Sequence, residues 1–229
     1  LLMNANPFSK IKSMASSFFE TNTLKSVLSD AGMKKNLIIF DVGAHKGQTS
    51  SHFCKLFSHS LIHAFEPSPY LFAEAEKNLS NRKNIRCHNF ALGEADEEAY
   101  LTRPDSDLCG QVVKAQENNS PSILVRRLDG FCKIENISAI DLLKIDVEGN
   151  ELSVLKGTSG MIKKNAIRAI LLECDFNKDD KQHSYFFDVF DFLSEKNFCF
   201  HGLFDVVRYS PSYGIGFCNA LFLNRSLFS

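Results

Sequence analysis

The stretch Leu37-Ile38-Ile39-Phe40-Asp41-Val42-Gly43-Ala44-His45-Lys46-Gly47 decides the fold. Its four leading apolar residues form a continuous run, which predicts a strand buried on both faces, as in a parallel sheet. A glycine-bearing turn, Asp41 to Gly47, follows, and then a helical stretch to about Phe57. Working outward, the same alternation recurs. Leu61 to Phe65 reads as a second strand. Ser68 reads as an N-cap with Pro69 at the first helical position, opening a helix to about Leu79. Ile85 to Phe90 reads as a third strand. Farther on, Ile140 to Ile145 is a fourth strand, Asn150 to Lys156 a helix stopped by Gly157, and Ile167 to Glu173 a fifth strand. Tyr185 to Leu193 reads as a helix, and Phe198 to Phe204 with Asn219 to Leu223 as a closing strand pair. Strands alternating with helices predict βαβ units and an α/β fold with a Rossmann-like, mostly parallel sheet covered by helices on both faces.

Two segments break the rhythm. Residues 93–130 carry polar turns (Pro104-Asp105-Ser106-Asp107 and Glu117-Asn118-Asn119-Ser120-Pro121) between short strand-like pieces, Ala99 to Thr102 and Ile123 to Leu128. They read as an insertion between the third and fourth strands. Residues 1–36 read as an N-terminal helical extension, with apolar spacing from Phe8 to Leu28. The basic residues there are sparse (Lys10, Lys12, Lys25), which favours packing on the domain over lying on a membrane surface. Residues 37–229 form the main domain.

Composition narrows the function. Lys plus Arg is 26 and Asp plus Glu is 27, a net charge of −1. That balance gives no electrostatic footprint for nucleic acid or an anionic membrane, so a small-molecule partner is expected. Seven cysteines, an odd number with no CxxC spacing, argue against a disulfide framework or a structural zinc site. They fit reduced thiols and a cytoplasmic location. No apolar run approaches the roughly 20 residues of a membrane helix. Leu1 to Lys10 lacks the charged start and apolar core of a signal peptide.

In open α/β sheets, ligands bind outside the carboxyl ends of the strands. Three features stand there. Gly43 and Gly47 allow the first turn, with Ala44 between them, to approach a ligand, and Asp41 can face a cationic group. Glu66, 19 residues after Gly47 and followed by Pro67, can accept hydrogen bonds from both hydroxyls of a ribose. Asn89-Phe90-Ala91-Leu92 can read an adenine edge and sandwich the ring. The middle glycine of the dinucleotide fingerprint is missing, because Ala44, His45 and Lys46 follow Gly43. That loss disfavours a pyrophosphate-bearing cofactor.

These motifs resemble the FkbM-type methyltransferases. The resemblance rests on Asp41 to Gly47, Phe65-Glu66-Pro67-Ser68-Pro69, Asn89-Phe90-Ala91-Leu92, Leu128-Asp129-Gly130 and Leu143-Lys144-Ile145-Asp146-Val147-Glu148-Gly149-Asn150-Glu151. Val154-Leu155-Lys156-Gly157 and Leu171-Leu172-Glu173 also fit, so the likeness spans roughly Leu37 to Leu223. His45 departs from it, where the family commonly carries Asn. The resemblance implies a class I methyltransferase sheet of seven strands with a reversed final hairpin. It implies S-adenosylmethionine as cofactor, S-adenosylhomocysteine as product, and methyl transfer, often to a hydroxyl of a sugar or natural product.

On the acceptor side, Lys144, Asp146 and Glu148 alternate along a strand end and are expected to share one face. Asp146 or Glu148 can take the acceptor's proton, with Lys144 in support; Asp146 also borders the cofactor. Glu173, at the next strand's end, is a substrate-binding candidate. The competing account is a buried salt-bridge network. A divalent metal held by Asp146, Glu148 and Glu173 is permitted but not required. Two other functions stay open, a nicotinamide-dependent oxidoreductase and a non-catalytic S-adenosylmethionine-binding module.

Overall fold

The computed structural model describes residues 18–102, 110–116, 120–180, 182–208 and 214–227, with side chains from Thr23 onward. The N-terminal stretch from Phe8 to Ser17, the turn at Pro104 to Asp107, Cys109 and residues 117–119 lie outside them.

The chain begins with helix α1 (Phe18–Asp30), then β1 (Ile38–Val42), α2 (Gln48–Leu56), β2 (Leu61–Phe65), α3 (Pro69–Leu79) and β3 (Ile85–His88). Four short strands come next: β4 (Ala91–Leu92), β5 (Glu97–Leu101), β6 (Val112–Val113) and β7 (Ser122–Arg126). Helix α4 (Leu128–Ile134) leads to β8 (Ile140–Ile145), α5 (Glu151–Gly157), α6 (Ser159–Lys163) and β9 (Ile167–Asp175). The chain closes with β10 (Ser184–Tyr185), α7 (Phe186–Ser194), β11 (Phe198–Phe204) and β12 (Phe217–Asn224).

The main sheet has the order β11-β12-β9-β8-β1-β2-β3, and the two-residue β10 adds an eighth strand beside β9. Pairing is parallel from β9 to β3, whereas β12 runs antiparallel to both β9 and β11. The order reverses between β1 and β8, so the crevice a ligand needs opens where the Asp41–Gly47 turn and the Asp146–Asn150 turn lie side by side.

The inner strands are buried on both faces, which explains why they are mostly apolar. Phe40, Val42, Leu143, Ile145, Ile170 and Leu172 pack on one side, with residues of α4 to α7. Ile39, Leu142, Ala169 and Leu171 pack on the other, with Leu24 and Leu28 of α1 and Phe53 of α2. Adjacent residues of one strand serve opposite cores, as the pleat requires.

Strands β4 to β7 build a second sheet, ordered β4-β7-β5-β6, around Ala91, Ala99, Leu101, Ile123 and Val125. Leu128-Asp129-Gly130 opens α4, which returns the chain to β8. Asp129 accepts hydrogen bonds from the backbone N–H groups of Gly160 (2.8 Å) and Met161 (2.9 Å) and so caps α6.

Cys54, Cys87, Cys132, Cys174, Cys199 and Cys218 are free thiols. Among the described residues no helix is long and apolar enough to cross a membrane.

Beneath the carboxyl ends of β2 and β3, His63 is fully buried and its Nδ1 lies 3.0 Å from His88 Nε2, the two rings stacked. Phe40, Phe65 and Phe131 surround them. Burial, then the neighbouring His88 and Arg86, lower the His63 pKa to about 4. His63 is therefore neutral in the folded chain, while an unfolded histidine takes up a proton near 6.5. The stability it contributes is complete above pH 6.5 and is lost as pH falls toward 4. From pH 7.5 to 5 the loss is expected to reach about 2 kcal/mol. Urea unfolding across that range should show a shallower acid limb in a His63→Phe, His88→Phe double variant. An identical limb would remove this pair from the account.

Candidate active site

Two backbone turns and one buried lysine organise the crevice. Lys144 faces Asp41 across the β1–β8 pairing. Its Nζ lies 3.1 Å from Asp41 Oδ1 and 3.5 Å from Asp146 Oδ2, and donates to the Gly43 carbonyl at 3.1 Å. Asp41 is fully buried and its other oxygen accepts from Ser50 Oγ at 2.6 Å. Burial alone would lower the Lys144 pKa, but Asp41 and then Asp146 outweigh it and hold the pKa above its ordinary value. Lys144 is thus a fixed cation.

Asp41 thus pairs with an internal cation, where the sequence reading turned it toward the cationic group of a ligand. The turn glycines are also explained by the protein itself. Gly43 has φ +79°, and a Cβ there would sit 1.8 Å from the Asp146 carbonyl oxygen. Gly47 has φ +83° and packs against Leu79 of α3. Only without side chains can the two turns approach this closely.

The turn after β8 departs from the expected alternation. The strand ends at Ile145, and Glu148 takes φ +54°. Glu151, buried at the start of α5, dictates this shape. Its Oε1 accepts from the backbone N–H of Val147 (3.1 Å) and of Gly149 (3.2 Å), and its Oε2 from the Ser184 N–H and Oγ. Although the simple face argument fails, one carboxylate oxygen each of Asp146, Glu148 and Glu173 comes within 4.8 Å of the others. Glu173 Oε2 also lies 3.2 Å from His183 Nε2, and His183 Nδ1 lies 3.2 Å from Asp180.

A cleft of about 640 Å³, its open mouth included, runs along this edge. Gly43, Glu66, Pro67, Ala91, Leu92 and Asp146 line it, as does Glu148. Phe65, Leu71, Phe90 and Val147 add apolar wall. Glu66 is 7% exposed; its Oε2 accepts from His45 N–H and its Oε1 from Ser68 N–H, both at 2.9 Å. Burial raises the Glu66 pKa to about 7 against the opposing pull of those two backbone bonds.

Three predicted residues are not among those that line the cleft. Ala44 is buried and its N–H donates to the Phe65 carbonyl. Gly47 is the packing glycine described above. Asn89 donates to the carbonyls of Glu66 (2.9 Å) and Pro67 (3.2 Å), so it locks the loop after β2 and does not offer that amide to an adenine edge.

Several wall residues had not been singled out. His45 lines the cleft at φ +52°, a conformation asparagine adopts readily, and its contribution to Glu66 is its backbone N–H. The second sheet reaches the cleft through Gly110 and Val112. It is tied there by Gln111 Nε2 to the Glu148 carbonyl (2.9 Å) and Asn150 Nδ2 to the Val112 carbonyl (3.3 Å).

The sequence of residues 41–200 matches the family described as the Methyltransferase FkbM domain. The chain belongs to the FkbM methyltransferase family. A 2-O-methyltransferase, NoeI, of Sinorhizobium fredii is 24% identical over 148 residues, 57% of this chain and 61% of that protein. The hexuronic acid methyltransferase AglP of Haloferax volcanii is 24% identical over 177 residues, 77% of this chain and 68% of that protein. The chain thus spans about three fifths of the length of the first of these relatives. Among solved structures, magnesium protoporphyrin IX methyltransferase from Synechocystis with bound S-adenosylmethionine superposes at TM-score 0.56. It is 12% identical, and the alignment covers 96% of this chain and 86% of that one. The fold is that of the class I methyltransferases, and the nicotinamide-enzyme reading gains nothing from the family match.

Proposed function

We propose that this FkbM-family chain is an S-adenosylmethionine-dependent O-methyltransferase acting on a hydroxyl of a sugar or natural-product-type small molecule. The observation that carries the reading is Glu66, a buried carboxylate in the wall of an otherwise largely apolar cleft at the switch point of the sheet. Each Glu66 oxygen accepts one backbone N–H and retains a lone pair, so the carboxylate can receive both ribose hydroxyls. Phe65, Pro67, Phe90 and Leu92 offer the apolar surfaces an adenine ring needs. Among the described residues, no element of the cleft is a glycine-rich cradle for phosphate, which suits a cofactor without phosphates.

When bound, S-adenosylmethionine supplies a methyl group activated by its sulfonium. The chain's own residues orient the partners and move a proton. Asp146 faces the cleft beside Lys144, whose fixed charge balances it. A carboxylate there can take the proton of an acceptor hydroxyl. Glu148 and Glu173 flank Asp146, one carboxylate oxygen of each lying within 4.8 Å of the others. The same three carboxylates would suit a hard divalent cation by their oxygen donors, and such an ion would acidify the hydroxyl; the proton transfer to Asp146 does not require it. The 2-O-methyltransferase name of one relative and the hexuronic acid of the other support the acceptor class.

The test is calorimetric titration with S-adenosylhomocysteine and, separately, NADH. S-adenosylhomocysteine should bind and NADH should not. Replacing Glu66 with Ala is expected to weaken binding by roughly 1–3 kcal/mol. The pH dependence has a definite sign. Ribose hydroxyls donate to the ionised carboxylate, and Glu66 ionises only as pH rises through about 7. Affinity should therefore increase from pH 6 to pH 8 by up to about tenfold and be flat in Glu66→Gln. A wild-type affinity independent of pH would overturn the ribose assignment.

A further inference from the structure

We propose that the acceptor occupies a second cavity, on the α1–α2 side of the sheet, and that this cavity is built for a polyhydroxylated, sugar-type ligand. The inference rests on the methyltransferase reading above and deepens it. The cavity has a volume of about 1020 Å³ with its mouth and lies between α1, α2 and the ends of β9, β11 and β12. Among the described residues, Asp146 alone lines both this cavity and the Glu66 cleft. A cofactor whose ribose sits on Glu66 and an acceptor in the second cavity would thus meet at Asp146. The residue best placed to take a proton is the residue at their junction.

The walls indicate the ligand's chemistry. Gln48, Ser51, His52 and Lys55 recur at helical spacing, so one face of α2 presents four hydrogen-bonding side chains to the cavity. Opposite them stand Asp205 and Asn219, the amide donating to the carboxylate at 3.1 Å. Phe53, Leu171 and Phe204 supply apolar surface between the polar groups. Polar groups at the rim of small apolar patches match a pyranose, which has a hydroxylated edge and a C–H face.

His52 adds a specific indication. Its Nε2 is enclosed and has no hydrogen-bond partner among the described residues. An enclosed nitrogen of this kind is costly unless something donates to it. Burial, and then the charge of Lys55, lower the His52 pKa from its ordinary 6.5, so the ring is neutral at pH 7 and can accept a hydroxyl proton in a hydrogen bond. Lys55, largely exposed at the mouth, would add affinity for an acidic sugar.

The experiment uses the protein saturated with S-adenosylhomocysteine and two probes, methyl α-D-glucopyranoside and D-glucuronic acid, followed by saturation-transfer NMR and titration. Both should bind to the loaded wild type, the acid more tightly. Ser51→Phe, which fills the cavity, and His52→Leu, which removes the acceptor nitrogen, should each weaken both probes by about tenfold or more. S-adenosylhomocysteine affinity should stay within about twofold of wild type. Lys55→Ala should erase only the preference for the acid. Circular dichroism verifies folding of each variant, and His52→Leu carries the test where Ser51→Phe does not fold. Three results would overturn the assignment. These are failure of both sugars to bind loaded wild type, sugar binding untouched by both variants, and loss of S-adenosylhomocysteine binding in the folded variants. The last would give the cavity to the cofactor's amino-acid end. Failure of wild type to bind S-adenosylhomocysteine at all would instead defeat the methyltransferase reading, so the two failures are distinct.

Discussion

Replacing Asp146 with Asn is expected to lower methyl transfer by about 10²-fold or more while leaving the fold intact. The side chain keeps its shape and loses only its charge. Lys144 loses one partner, but Asp41 remains 3.1 Å from its Nζ, so the buried cation stays compensated. Asp146 is itself only partly buried, its side chain 31% exposed, so the polar amide meets solvent and is not stranded. The loss should therefore fall on turnover and not on the unfolding midpoint. Glu148→Gln provides the contrast, because Glu148 lines the Glu66 cleft and not the second cavity. Its effect should be smaller and should include cofactor affinity. The measurement is product detection by mass spectrometry against a panel of sugars and small natural products, with urea unfolding run on the same preparations. Full turnover in Asp146→Asn would mean that the reaction relies on proximity and desolvation without a carboxylate base. A lowered unfolding midpoint with normal turnover would return Asp146 to the purely structural account.

The central sheet was legible because burial on both faces leaves a plain mark, the run of apolar residues. Ile140–Ile145 and Leu61–Phe65 were read to the residue because apolar residues dominate them, although Asp141 and Lys144 interrupt the first and His63 the second. Helix α3 was equally plain, since Ser68 accepts the Leu71 N–H and Pro69 follows it, a local rule written in local residues. Elements that depend on distant partners left weaker marks. Helix α6 is held at its start by Asp129, 31 and 32 residues away, and β10 exists only because it pairs with β9. Within the site, sequence spacing identified the residues at the strand ends but not their orientation. The Asn89 amide locks a loop at the surface, and Asp41 turned inward to Lys144. Glu148 was expected to share one face with Lys144 and Asp146, and its positive φ breaks that alternation. The cause is Glu151, three residues later, whose two oxygens gather four donors. The glycines were read as needed for approach to a ligand, and the packing need that Gly43 also meets was hidden, because the Asp146 carbonyl that crowds it comes from a turn more than a hundred residues away. Pairing between distant charged side chains has no periodic signature, so it becomes visible only once the strands are in register.

Lys144→Met is expected to cost about 3–5 kcal/mol of stability, the effect of removing one partner from a buried ion pair. Methionine fills a similar volume, so the cost is electrostatic and not a cavity. Asp41 is fully buried, and without Lys144 only the hydroxyl of Ser50, among the described residues, remains to satisfy its charge. The Gly43 carbonyl loses its side-chain donor in the same step, which loosens the turn that frames the cleft. Because the Lys144 pKa is raised above 10.5, the pair's contribution is complete below that value and does not vary across the neutral range. The loss should therefore be the same at pH 6 and pH 8 in urea unfolding, unlike the acid-sensitive contribution of His63. Adding Asp41→Asn to Lys144→Met removes the stranded charge and should restore about half or more of the loss, since two neutral partners cost less than one unpaired ion. A double variant no more stable than the single one would show that the lysine stabilises the fold through packing and the Gly43 bond alone. A single variant that keeps full stability but loses turnover would move Lys144 from the scaffold of the site into its chemistry.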